Sequence, residues 1–427
     1  MASTSKARSL VLDRALDEVI DHRYKSFPAG PPVAVRNVRD RGWNALGGEF
    51  MLPVMLLKEP ALRQNVDAMA ALCDRTGFSL APHAKTSMAP QLVQMQLAAG
   101  AWAITAATTW QARLWRAFGA DRIILANELV EPASIEWIAA EMERDPEFDF
   151  YCLVDSVAGV RALDREPGFK VLLELGFSGG RAGCRSEEQA LEVANAIKSS
   201  KHVTLAGVEA FEGVIHGENL EATLRSVDEL LSRIRALATV LDSSGHFDRT
   251  KEIVLTAGGS AFFDRVIAEL GKPGSLSRPV RPVLRSGCYL THDAAHYHEV
   301  SPFGSRILNT DPLTEAFEVW GAVLSMPEPG LALIGFGKRD VPYDLDLPVP
   351  RFIKRGREAP RKFAHAASIF ATNDQHAYLR LDAGEDLRIG DLVGCGISHP
   401  CTAFDKWRLI PLVDDGYRVI DAIITYF

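Results

Sequence analysis

Between Phe78 and Tyr289 the chain alternates eight short apolar runs with segments of helical periodicity, which limits its possible architectures more than any other feature. The runs are Phe78–Ala81, Trp102–Ala106, Arg122–Ala126, Phe150–Val154, Phe169–Leu175, Val203–Val208, Glu252–Thr256 and Pro282–Arg285. Each is rich in Val, Ile, Leu or other apolar residues, and polar residues follow most of them. Such runs suit strands buried on both faces of a parallel sheet. Between them, Leu220, Leu224, Val227, Leu231 and Ile234 recur every three or four residues, with Gly245 just beyond. That is one face of a helix and its stop signal. Leu62, Val66, Met69 and Cys73 mark a further helix before the first run. Eight strand–helix alternations predict an α/β fold, a (β/α)8 barrel. A doubly wound open sheet is the structural alternative.

From about Phe317 the pattern changes. Phe317–Leu324, Leu331–Gly335, His376–Leu381, Leu392–Gly394 and Tyr417–Phe427 are short apolar stretches broken by Pro and Gly. They predict an antiparallel β domain. Gly337–Arg361, rich in Pro, Asp and Arg, reads as a long loop. Met1 to Phe27 reads as a polar helix with Leu10, Leu12, Ala15 and Val19 loosely on one side. The expected division is an extension over residues 1–50, a barrel over 51–300 and a β domain over 301–427.

Composition narrows the function. Basic residues number 47 against 55 acidic, for a net charge of −8, which argues against nucleic-acid binding as the main task. No apolar run has the roughly 20 residues a membrane helix needs. Cys73, Cys152, Cys184, Cys288, Cys395 and Cys401 are scattered, with no C-x-x-C pair. Free thiols in a reducing compartment follow, and a cytoplasmic location with them. Asp13, Asp17, Glu18 and Asp21 interrupt the N-terminal apolar positions and oppose a signal peptide.

In a (β/α)8 barrel the chemistry gathers at the C-terminal ends of the strands. After the first run comes Pro82-His83-Ala84-Lys85-Thr86. Desolvation at a strand end lowers a lysine pKa and makes its amine a nucleophile able to form an imine. After the fifth run, Gly176-Phe177-Ser178-Gly179-Gly180-Arg181 is a glycine loop with an arginine suited to an anion or a ring. After the seventh, Gly258-Gly259-Ser260 leads into Ala261-Phe262-Phe263, which opens a helix, and offers free backbone N–H groups. After the eighth comes Arg285-Ser286-Gly287-Cys288-Tyr289. The loops after strands seven and eight are the usual phosphate site of this fold. A phosphate site plus a strand-end lysine points to pyridoxal 5'-phosphate. A tight structural turn at Gly258-Gly259 is the plainer alternative.

In the β domain His399-Pro400-Cys401 places an imidazole and a thiol at i and i+2, on one side of an extended backbone. That pair suits a divalent metal, Zn²⁺ foremost, and two protein ligands would leave positions open for water and substrate. A buried cysteine beside a satisfied histidine is the simpler reading. Asp374-Gln375-His376 is a weaker metal or substrate candidate. His292, His296 and His298 read as a surface loop or interface, and Asp340 and Asp344 as part of a solvated loop, with contact to substrate or a partner subunit as the alternative.

Taken together and in this order, these motifs resemble the D-serine dehydratase and D-threonine aldolase family, fold-type III pyridoxal-phosphate enzymes with an alanine-racemase-like barrel. The resemblance spans about Pro53 to Phe427. It implies Lys85 as the Schiff-base lysine. It implies that Gly258, Gly259, Ser260, Gly287 and Cys288 cradle the phosphate, with Tyr289 adding a hydroxyl. It places Arg181 toward the cofactor ring, and His399 and Cys401 as ligands of a metal, usually zinc. Glu209 and Phe211 stand where the family often carries Gln and Tyr near the cofactor. The resemblance also places Pro53–Leu57 as a strand of the β domain, and implies a homodimer.

The expected reaction is β-elimination from a D-3-hydroxy amino acid, D-serine or D-threonine, giving a 2-oxo acid and ammonia. The metal would bind the β-hydroxyl as a Lewis acid, because hydroxide leaves poorly at neutral pH. Retro-aldol cleavage could use the same parts. A racemase or a non-catalytic pyridoxal-phosphate-binding protein are readings of other classes.

Overall fold

The computed structural model describes residues 7–272, 274–307 and 309–427. All eight apolar runs form parallel strands: Ser79–Leu80, Ile104–Ala106, Arg122–Glu128, Asp149–Val154, Phe169–Leu175, Val203–Ala210, Ile253–Ala257 and Val280–Leu284. The eighth strand pairs in parallel with the first. On its other side the first strand meets the second, where Trp102 N–H donates to Leu80 O at 2.7 Å and His83 bridges Thr105. The sheet therefore closes into the expected barrel.

Alternation along each strand divides the apolar side chains. Ile123, Leu125, Val171 and Leu173 face outward into the layer shared with the helices. Ala81, Ile124, Leu153, Leu172, Val254 and Val283 fill the barrel interior. The amphipathic segments surround the barrel as helices, the longest at Leu220–Ser243, where Asn219 accepts from Ala222 N–H as its N-cap.

The second unit is antiparallel for the most part. Its hydrogen-bonded path runs Arg361–Lys362, Val349–Lys354, Leu392–Gly396, Phe317–Glu328, Leu331–Ile334, Ala377–Leu381, Ala367–Thr372. Strand Val54–Lys58 joins it, antiparallel to Phe317–Glu328 and parallel to Leu409–Val413. Residues before the barrel thus complete the second sheet. No helix among the described residues is long and apolar enough to cross a membrane.

Two expectations need correction. Val349–Lys354 is a strand inside the stretch read as a loop. Pro350 and the polar residues around it hide the alternation, and a register shift between Pro350 and Phe352 accommodates the missing N–H. The N-terminal segment is helical only over Asp13–Leu16, and residues 1–6 of the expected helix lie outside the described residues. Leu10, Leu12 and Ala15 pack on the outer layer of the barrel, and the apolar residues after them cover the second sheet. Ile20, Tyr24, Phe27, Val33 and Phe50 pack with Trp320, Leu409 and Val419.

Trp320 is fully buried and stacks on Phe352 at a 12° interplanar angle. Gly394, on the neighbouring strand, leaves it room, because a Cβ there would lie 2.5 Å from the indole. Gly394→Ala is therefore expected to destabilise the protein by about 1–3 kcal/mol, read as a lowered Tm. An unchanged Tm would mean that the sheet yields at this point.

Candidate active site

At the C-terminal mouth of the barrel a cavity of ≈ 160 Å³ is lined by His83, Lys85, Arg181, Glu209, Gly258 and Arg285, among others. These residues come from the ends of the first, fifth, sixth, seventh and eighth strands. Four of them were expected from the sequence as site residues: Lys85, Arg181, Glu209 and Gly258. Arg285 was quoted in its motif but given no role. Its signal was its place at the end of a strand whose apolar neighbours point elsewhere.

Arg285 and Glu209 form a buried ion pair, Nη2 to Oε2 2.6 Å, with side chains 3% and 1% exposed. Arg285 also donates to Ala210 O at 3.3 Å, while its Nη1 finds no partner among the described residues. His83 Nδ1 is likewise buried and unpartnered. Buried donors are rarely left so, and their clustering around one cavity is what a site for a polar ligand requires. Burial, and after it the charges of Lys85, Arg285 and Arg181, hold the His83 imidazole well below its ordinary range. It is neutral at physiological pH. Arg181 stacks on Phe211, 4.6 Å from the ring centroid, which brings the fifth-strand loop over the cavity.

Deeper in the barrel, burial and then the Glu209 and Glu128 carboxylates push Glu174 up to about 10. The folded chain therefore holds a proton that the unfolded chain loses above about pH 4.3. Stability must fall as pH rises from there toward 10, by at most about 1.4 kcal/mol per unit. Glu174→Gln should flatten that slope in chemical unfolding at pH 5 and pH 8. An equal slope in both proteins would place the proton elsewhere.

The remaining expected residues divide. Gly259 and the partly exposed Ser260 continue the loop that Gly258 begins. Gly287 lies against the first strand's end, where a Cβ would come 2.5 Å from His83 O. Cys288 turns its sulfur toward the β domain, 3.5 Å from Cys401 Sγ. Tyr289 lines a separate cavity with Gln96, Cys73 and Trp102.

His399-Pro400-Cys401 reaches the barrel rim from the second sheet. Cys401 Sγ lies 3.4 Å from Thr86 Oγ1, one residue beyond Lys85. His399 Nδ1 meets Asp344 Oδ2 at 2.5 Å, and Asp344 Oδ1 accepts from Thr402 at 2.9 Å. Hydrogen bonding to Cys401, with help from Asp344, pushes His399 up to about 9. Contact with Cys288, then His399 and Thr86, holds the Cys401 thiol well below its usual range. His399 has φ +49°, a left-handed backbone uncommon for histidine. Its N–H donates to Asp293 Oδ2 at 2.9 Å, which anchors the turn. Strain of this kind, of order 1–3 kcal/mol, collects at functional sites.

The other candidates do not join the site. His376 and Asp374 are exposed on a hairpin. His292 is buried, not on a surface loop, and burial followed by His298 lowers it to about 4. Asp340, expected in solvent, is buried and accepts from Gly337 N–H, Gln375 and Lys25, holding the loop that carries Asp344. In both cases the polar composition of the segment concealed its packing.

The donors present fit the two groups the motifs suggest. An amine, an unpaired guanidinium nitrogen and a glycine loop share one cavity. Two backbone amides of that loop, Gly258 and Gly259, already donate to the two oxygens of the Glu212 carboxyl group. Imidazole and low-pKa thiol stand together at its edge, a soft donor pair. Among the described residues no cluster of three or more His, Cys, Asp or Glu side chains could hold a metal ion.

Residues 57–302 match the family model of the alanine racemase N-terminal domain, and residues 316–413 that of a serine dehydratase domain. The chain is 25% identical over 378 residues to a D-threonine aldolase of Arthrobacter sp., covering 85% of this chain and 89% of that protein. It is 22% identical over 307 residues to a 3-hydroxy-D-aspartate aldolase of Paracoccus denitrificans (strain Pd 1222), covering 70% and 75%. Among solved structures, the D-threo-3-hydroxyaspartate dehydratase of Delftia sp. HT23 superposes with TM-score 0.67 at 19% identity, covering 88% and 97%. A D-threo-3-hydroxyaspartate dehydratase has also been solved as variants of a histidine and of a cysteine two positions apart, the cysteine variant in a metal-free form. With more than half its length matched by the barrel model, the chain belongs to the alanine racemase N-terminal-domain family, its barrel completed by a serine dehydratase-type β domain.

Proposed function

We propose that this protein is a pyridoxal-phosphate- and metal-dependent lyase that eliminates water from a D-3-hydroxy amino acid, releasing a 2-oxo acid and ammonia. The observation that carries this reading is the placement of Cys401 on Thr86, next to Lys85, with His399 hydrogen-bonded to Cys401. One spot then has an amine for Cα and a soft-donor pair for the β-hydroxyl. The histidine–cysteine spacing matches the positions altered in the D-threo-3-hydroxyaspartate dehydratase variants, which supports elimination.

The roles follow from the geometry. Lys85 would carry the cofactor and, once released by substrate, take the Cα proton on its amine. Bound at Lys85, pyridoxal phosphate supplies an electron sink for the pair left at Cα. Arg285, fixed by Glu209, presents its free Nη1 to the cavity as a hydrogen-bond donor. Neutral His83 can accept or donate there without adding charge. A zinc ion on His399 and Cys401 supplies a Lewis acid for the leaving hydroxyl. Asp344 fixes the imidazole through Nδ1 and leaves Nε2 for the metal. Asp344→Asn should weaken zinc binding by about 10–100-fold, measured by competition with a chromophoric chelator.

Retro-aldol cleavage is the second reading, favoured by the names of the Arthrobacter and Paracoccus relatives. Product analysis with D-threonine separates them. Ammonia and 2-oxobutanoate mean elimination, and glycine and acetaldehyde mean cleavage. Loss of optical activity with neither would mean racemisation. The reading carries a homodimer with it, checked by sedimentation equilibrium.

A further inference from the structure

The glycine loop after the seventh strand is not free. Gly258 N–H donates to Glu212 Oε2 at 3.1 Å, and Gly259 N–H donates to Oε1 at 2.6 Å. Each carboxylate oxygen takes one amide, as two oxygens of a phosphate would. Glu212 is wholly buried, two residues past the end of the sixth strand at Ala210. Among the described residues no lysine, arginine or histidine forms an ion pair with it. Burial pushes its carboxyl up, against the pull of the amides and of Arg285. A buried carboxyl group without an ion-pair partner is costly, and a brace could equally be made by a neutral side chain.

The fit is close. A Cβ at Gly259 would come 2.4 Å from Glu212 Oε1, so any side chain there would expel the carboxylate. Gly258 itself lines the Lys85 cavity. Arg285, whose Nη1 is unpartnered and whose side chain is 3% exposed, borders the same loop, since a Cβ at Gly258 would meet its Nε at 2.7 Å. The loop and its arginine form an anion site, and a side chain of this chain is seated on its amides.

We propose that Glu212 is a built-in competitor for the cofactor's phosphate: it holds the two amides of the cradle and has to surrender them when the phosphate enters. The inference rests on the pyridoxal-phosphate reading above. Its physical basis is exclusion. Two amides already saturated by a carboxylate cannot also receive a phosphate, and two anions cannot share one buried loop. Glu212 thereby keeps the loop folded without cofactor and lowers the affinity for it. Cofactor retention would then be set by a residue that touches none of the reacting atoms.

The test is a titration of cofactor-stripped protein with pyridoxal phosphate, followed by absorbance. Glu212→Gln and Glu212→Ala are expected to tighten the Kd at least tenfold and to bind inorganic phosphate more tightly in competition. The same variants should have a lower Tm without ligand and a larger Tm rise on adding pyridoxal phosphate. An unchanged or weaker Kd in folded variants overturns the proposal and leaves Glu212 as a structural brace.

Hydrogen exchange on the wild-type chain gives an independent reading should the variants fail to fold. Inorganic phosphate should speed exchange in the segment 211–217 while 256–262 stays protected. Protection of both segments overturns the competition. The cofactor reading fails separately, if wild-type protein forms no borohydride-reducible bond at Lys85. The phosphate measurements would still decide the role of Glu212.

Discussion

Lys85→Ala is expected to lower kcat for ammonia release by at least about 10⁴-fold, the largest effect of any single substitution. Among the described residues Lys85 is the only lysine lining the cavity at the barrel mouth. It stands at the end of the first strand, where His83 N–H donates to Arg285 O at 3.1 Å and Ala84 N–H to Thr105 O at 2.9 Å. Its backbone is thus held between the eighth and second strands, and its amine has a defined reach. Arginine at this position keeps the charge but cannot form an imine or act as a base near neutral pH. Lys85→Arg should fail as Lys85→Ala does. Mass spectrometry after borohydride treatment should find the reduced cofactor on Lys85 in the wild-type chain and nowhere in either variant. Substantial turnover by Lys85→Ala would remove the central element of the proposed function.

The second large effect is expected at the His399–Cys401 pair. His399→Ala and Cys401→Ser should each lower kcat by about 10²–10³-fold, the several kcal/mol that a Lewis acid supplies to a poor leaving group. Each should also leave the purified protein without stoichiometric zinc. Contact with Cys288, His399 and Thr86 lowers the Cys401 thiol, which reduces the proton cost of binding a metal there. Serine keeps the volume and loses the soft donor. Cofactor absorbance should persist in both variants, because Lys85 is untouched. Zinc retained at full stoichiometry in both would move the metal elsewhere. Ammonia release that survives exhaustive chelation would remove the metal from the reaction.

Much of the architecture was legible because it is local. Alternation, run length and glycine stops are properties of a few neighbouring residues, so the barrel strands could be read within a residue or two in most cases. The first strand illustrates the limit. Phe78–Ala81 was expected and only Ser79–Leu80 pairs in regular fashion, because Pro82 cannot donate to the ladder. Val349–Lys354 escaped altogether, since its pairing with Leu392–Gly396 is set by a partner some forty residues away. The N-terminal segment misled for a related reason. Leu10, Leu12 and Ala15 are spaced like a loose helical face but pack on the barrel layer around one short helical turn, while Ile20, Tyr24, Phe27 and Val33 cover the second sheet without helix.

The site divides along the same line. Sequence alone determined that a lysine ends the first barrel strand, that glycines follow the seventh, and that an imidazole and a thiol stand two apart near the C-terminus. Those are statements about single segments, and period-two geometry suffices for them. Tertiary structure decided which side chains meet. It set Arg285 on Glu209 in the cavity, turned Cys288 toward Cys401, sent Tyr289 to another cavity, and seated Glu212 on the amides of Gly258 and Gly259. Thr86, Cys288 and Cys401 lie hundreds of residues apart in sequence and within 4 Å in space. Their meeting depends on how the second sheet docks on the barrel rim. Docking is a sum over many contacts of which no single segment carries a sign, so it is readable only in the folded chain.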